Sequence, residues 1–100
     1  TLLRVAELLH KKQLPVNVVF SFSHDEELGL RGAVTSAYNI APDEAIVVDT
    51  TFGDTPNIPL YKTGTLGLGP LIGISPVLSK KITDGLKISG KNCPYTREQR

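Results

Sequence analysis

The sequence has no methionine and no tryptophan, a single cysteine, and only three tyrosines and three phenylalanines in 100 residues. One cysteine, Cys93, rules out an internal disulfide framework and suits a reducing cytosol; it is expected to be a small, half-buried apolar residue. Neither sign of charge dominates: 11 Lys and Arg face 10 Asp and Glu, for a net charge of +1. Nucleic acid is therefore not an expected partner. No apolar run approaches the roughly 20 residues of a membrane span. The opening "TLLRVAELL" has neither a signal-peptide core nor a cleavage site. A hydrophobic content of 40% separates the chain from disordered ones, and there is no repeat or low-complexity tract. The missing methionine, and a start already inside an amphipathic pattern, suggest a piece of a longer chain.

Apolar residues alternate between two periods. Leu2, Leu3, Val5, Ala6, Leu8 and Leu9 recur at helical spacing with Arg4 and Glu7 opposite, and Pro15 marks the exit. "VNVVFSF", residues 16–22, is β-branched and aromatic and predicts a buried strand. "GLRGAVTSAYN", residues 29–39, predicts a second helix stopped by Pro42, and residues 45–48 predict a second strand ending at Asp49. Residues 50–69 are turn chemistry, rich in Gly, Pro, Asn and Asp, with a short hairpin piece expected around residues 60–63. "PLIGIS", residues 70–75, predicts a third strand. "PVLSKKITDGLKIS", residues 76–89, predicts a helix opened by Pro76, and "CPYTRE", residues 93–98, starts a fourth strand. Helices alternating with apolar strands predict an α/β fold of three layers, a mainly parallel sheet covered on both faces.

The pattern of acids calls for a physical reason. Asp25, Glu26 and Glu27 are consecutive where the first strand should end, and like charges at the edge of an apolar region repel. They could occupy the first turn of the following helix, where the backbone dipole favours each by roughly 0.3–1 kcal/mol. They could instead serve a cation or an acid–base step. Asp49 also falls at a strand end, where it could cap a turn through Thr51 or Gly53. In parallel α/β sheets ligands bind beyond the carboxyl ends of strands, so Glu26, Glu27 and Asp49 are expected at one sheet edge.

"DEELGLRGA", followed by "APDEAIVVDTTFGDTP" and "GLGP", resembles the metallo-aminopeptidase family of the tetrahedral, dodecameric aminopeptidases and the glutamyl and lysyl aminopeptidases. The resemblance runs over nearly the whole chain. The usual family form is Gln-Glu-Glu-Val-Gly-Leu-Arg-Gly-Ala, a Pro-Asp before the next strand, a strand-ending Asp, then Asp-Thr-Pro and a Gly-x-Gly-Pro turn. Here Asp25 replaces the customary Gln, and Leu68 stands where Lys is frequent.

Carried over residue by residue, the resemblance implies that Glu26 is the general base, Glu27 a ligand of one metal and Asp49 a ligand of the other. It further implies a zinc-exopeptidase-like fold, two divalent metal ions per complete site (zinc or cobalt), peptide substrates, a cytoplasmic setting and a homo-oligomer, with residues 1–100 forming part of a single catalytic domain. The family's His-x-Asp segment and an inserted β domain are expected upstream, the bridging Asp just before Thr1, and the last His ligand after Arg100. Neither His10 nor His24 matches a ligand position; His10 is expected at a solvated helix end and His24 near the crevice. Arg31 is expected in a surface ion pair, or against an acid or substrate of the crevice.

Two rival readings follow from the residues. The acids could merely cap helices in a noncatalytic α/β regulatory or interaction domain. "GTLGLGPLIG" looks like a phosphate loop, although it lacks the Gly-Lys-Ser/Thr ending and carries Ile72 at the third glycine position of a dinucleotide fingerprint. With two expected ligands only, residues 1–100 expressed alone should show no aminopeptidase activity with added zinc or cobalt, and should be marginally stable or self-associated through Leu2, Val5, Leu9, Val19 and Ile46. An aminoacyl-anilide assay with and without metal, beside chemical denaturation, checks this expectation; metal-dependent turnover would contradict it.

Overall fold

The computed structural model describes residues 1–91 and, by their backbone, residues 97–99. Cys93 and the first part of the expected fourth strand lie outside the described residues. The chain divides into two units, Thr1–Val48 and Asp49–Arg100.

In the first unit, α1 spans Leu2–Leu9 and α2 spans Arg31–Ile40. Leu2, Ala6 and Leu9, spaced one turn apart, form the half-buried stripe of α1, while Leu3, Val5 and Leu8 remain exposed. The helix thus uses half of the apolar face that its sequence offers. Helix α2 starts two residues later than the pattern predicts, because Gly29 and Leu30 both have positive φ. It stops at Ala41, whose left-handed backbone (φ 46°, ψ 59°) donates its N–H to Ala37 O, and Pro42 follows.

The strands expected at residues 16–22 and 45–48 are not formed: neither segment has a ladder partner among the described residues. Burial fails with pairing. Phe20 is half-buried, but Val19 is 60% and Ile46 64% exposed. A strand's apolar side chains are sheltered only when neighbouring strands and a covering layer are in place. Among the described residues no hydrophobic side chain is fully buried.

The second unit does contain paired strands. β1, Leu71–Gly73, pairs in parallel with β2, Arg97–Gln99, with Ile72 opposite Glu98. Between them runs α3, Lys80–Lys91, which packs against β1. Parallel strands require such a crossover, so the alternation read from the sequence is realised here as one β–α–β element. The helix begins later than Pro76 suggests because Leu78 N–H bonds Ser75 O in a turn. In place of the expected hairpin piece, Leu60–Lys62 form a single 3₁₀ turn. Gly64 then closes the loop: its N–H donates to Phe52 O at 2.9 Å, and a Cβ there would stand 2.6 Å from Leu71 Cδ1 of β1. No helix among the described residues is long and apolar enough to cross a membrane.

On the exposed side of α3, Lys80 donates to Asp84 one turn on. That hydrogen bond holds the Asp84 carboxyl below its ordinary value of 3.8, with desolvation opposing it and the charges of Lys80 and Lys87 adding to it. A lowered folded-state value means that the pair adds stability above the unfolded value, and that this contribution is lost as pH falls through the folded one. Asp84 should therefore titrate below 3.8, and Lys80→Ala or high salt should move the midpoint upward, as read by carboxyl chemical shifts.

Candidate functional site

The three acids do not enter α2. Its first turn contains no acidic residue, and its N-cap, Leu30, makes no side-chain capping bond. Helix capping therefore does not account for Asp25, Glu26 and Glu27, and the rival reading built on it loses its physical basis.

Instead, the acids sit on a closed loop. Leu28 N–H donates to Asp25 O, and the amides of Gly29 and Leu30 both donate to Glu26 O, at 3.2, 3.2 and 3.0 Å. Gly32 N–H then reaches back to His24 O at 3.1 Å and closes the circuit. Three loop residues take the left-handed region, Asp25 (φ 55°), Gly29 (φ 94°) and Leu30 (φ 59°). Glycine enters it freely, and Asp at modest cost. A leucine does so only where its surroundings hold it there.

The backbone is thus committed while the carboxylates are not. The carboxylates of Glu26 and Glu27 are exposed and have no hydrogen-bond or ion-pair partner among the described residues. Asp25 behaves differently, with Oδ2 lying 3.0 Å from His24 Nδ1. His24 accordingly stands beside the acid loop, its ring against one of the loop's carboxylates.

Next to the loop is an open cavity of about 200 Å³, lined by Ser23, His24, Arg31, Gly32, Thr35 and neighbouring side chains. Arg31 borders it and forms no ion pair among the described residues, so the expected surface pair is absent. Thr35 Oγ1 is turned back onto Arg31 O at 3.0 Å. His10 caps the end of α1 and is exposed, as anticipated.

Asp49 opens the second unit and is exposed. Its Oδ1 accepts the N–H of Thr50 at 2.7 Å, rather than a bond from Thr51 or Gly53. That bond orients the carboxylate and commits one oxygen. Glu27 and Asp49 offer oxygen donors of the kind divalent cations accept. Among the described residues, no three His, Cys, Asp or Glu gather into a group able to hold a metal. Taken singly, each of the two carboxylates has the donor chemistry of a metal ligand.

The glycine segment is not a phosphate loop. Gly67, with φ 85°, lies in a turn closed by Leu68 N–H to Thr65 O, Gly69 follows that turn with φ 88°, and the chain then enters β1 rather than a helix. Without a helix N-terminus at its end, the loop lacks the backbone donors that cradle phosphate.

Comparison with known proteins agrees with the acid motif. A family model described as M42 glutamyl aminopeptidase matches residues 1–96. A presumed aminopeptidase of Acetivibrio thermocellus is 39% identical over 93 residues, covering 87% of this chain and 28% of the relative. The lysyl aminopeptidase of Pyrococcus furiosus is 31% identical over 81 residues, covering 81% of this chain and 23% of that protein. FrvX of Escherichia coli, another presumed aminopeptidase, is 46% identical over 69 residues, covering 66% of this chain and 19% of its own length. The chain thus spans less than a third of the length of these relatives. No solved structure matches.

The left-handed backbone at Asp25 generates a prediction independent of activity. Asp25→Asn should leave stability nearly unchanged, because Asn tolerates this region. Asp25→Val should cost about 1–2 kcal/mol, read as a shift in the denaturant midpoint.

Proposed function

The chain belongs to the M42 glutamyl aminopeptidase family, and on that premise we propose that it forms part of the catalytic domain of a dinuclear metal-dependent aminopeptidase that removes N-terminal residues from peptides. The observation that carries the proposal is the state of the acid loop. Its backbone is tied down by four hydrogen bonds, from the amides of Leu28, Gly29, Leu30 and Gly32, while Glu26 and Glu27 are left without protein partners among the described residues. The left-handed backbone of the loop is costly as structure, and what it presents is a pair of neighbouring carboxylates open to a ligand.

In this reading Glu27 and Asp49 are metal ligands, the remaining ligands coming from outside the described residues. Glu27 and Asp49 would each help hold a divalent cation, zinc or cobalt, which when bound would supply Lewis-acid polarisation of the scissile carbonyl and of the attacking water. Glu26 takes that water's proton and delivers it to the leaving amine, a task worth about 10²–10⁴-fold. Adjacent residues can then divide the tasks, Glu26 moving the proton and Glu27 holding a cation. His24 Nδ1 lies against Asp25 Oδ2, so this carboxylate, unlike those of Glu26 and Glu27, has a partner in the protein. The complete fold would be the three-layer, mainly parallel arrangement of zinc exopeptidases, in which the segments at residues 16–22 and 45–48 gain strand partners and bring Glu26, Glu27 and Asp49 to one edge. A cytoplasmic homo-oligomer is the setting that accompanies this reading.

The roles separate by experiment in the natural full-length protein. Glu26→Gln should keep its metal and its KM while losing about 10²–10⁴-fold in kcat, since only proton transfer is removed. Glu27→Ala should lower metal occupancy. Elemental analysis after dialysis, paired with an aminoacyl-anilide assay, reads both; equal metal loss in the two variants would show that the roles are misassigned.

A further inference from the structure

Gly32 is the only buried residue among those described, although it lies in the first turn of a helix whose other residues are mostly exposed. A Cβ on Gly32 would stand 2.6 Å from His24 O, 2.7 Å from His24 N and 3.3 Å from Ser23 Cβ. The two shortest contacts are to backbone atoms, so no side-chain rotation could relieve them. The glycine is needed here for space, since its φ is not positive. Gly29 is the opposite case, with φ 94° and nothing within 4 Å of where a methyl group would stand.

We infer that Gly32 is a positioning residue for the reaction assigned above: by lacking a side chain it lets the start of α2 seat on the backbone of His24, and this contact sets where Glu26 and Glu27 stand. The contact and the Gly32 N–H bond to His24 O act at the same place, the base of the loop. A methyl group there must push His24 and the first turn of α2 apart by about an ångström, a displacement of the size that costs about 10²-fold when it reaches reacting groups. The inference rests on the reading of Glu26 as base and Glu27 as metal ligand.

The test compares Gly32→Ala with Gly85→Ala in the natural full-length protein. Gly85 lies in α3 with nothing within 4 Å of an added Cβ, so its alanine variant should match the wild type. In Gly32→Ala, the amides of Leu28, Gly29 and Leu30, which bond Asp25 O and Glu26 O, should exchange with deuterium at least about tenfold faster. Turnover per folded molecule should fall about 10²-fold with KM within about twofold. Wild-type exchange and kcat in Gly32→Ala would overturn the inference, as would an activity loss matched by the unfolded fraction alone. If the wild-type protein shows no aminopeptidase activity, the functional reading fails, and amide exchange still decides whether Gly32 sets the loop. If Gly32→Ala does not fold, exchange in the wild type decides: the loop amides and Gly32 should open together, and separate exchange at free-chain rates would overturn the inference.

Discussion

The hydrogen bond from the Gly32 amide to the His24 carbonyl joins the end of an extended segment to the start of a helix, and the intervening residues take their conformation from that closure. Left-handed backbone at Leu30 would cost of order 1–3 kcal/mol in isolation, and at Asp25 less. It persists because the loop ends are fixed and the Glu26 carbonyl accepts two amides inside it. The closure also keeps the acids out of the helix dipole, where they would have been stabilised and chemically idle. Local strain, and carboxylates of Glu26 and Glu27 without a partner among the described residues, are thus two results of one constraint.

The second unit uses the same device with different partners. Gly64 donates to Phe52 O and presses its bare α-carbon on Leu71, so a long turn-rich segment is tied to the strand that follows it. Strand β1 in turn meets β2 and α3. In both units, then, a glycine without room for a side chain marks the place where a loop meets a regular element. Hydrogen bonds and close backbone approach define these units more than apolar burial does, since no described hydrophobic side chain is fully sheltered.

Elements whose stability is local were legible in the sequence. The apolar spacing from Leu2 to Leu9 found α1, the run ending before Pro42 found α2, and the parallel pairing of residues 71–73 followed from alternation. The first residue of α2 was not legible, because positive φ at Leu30 runs against the preference of leucine and is imposed by the closure at Gly32. The expected strands at residues 16–22 and 45–48 fail for the opposite reason: their composition is right, but a strand exists only in the company of another. For the site, the acid motif located Glu26 and Glu27 on one loop. No pattern of residues signalled that their carboxylates would lack partners among the described residues or that Asp49 would bond Thr50. Gly32 was visible as a letter of the motif, and its buried contact with His24 only as geometry.

The span of that closure has a kinetic meaning. His24 and Gly32 are eight positions apart in the chain, and loops of about ten residues close in roughly 10–100 ns. Strand pairing between distant segments must first overcome a much larger loop entropy. The closing contact of the acid loop is therefore made and remade many times before strands from distant segments first meet, and what the surrounding domain adds is not the speed of that contact but its persistence.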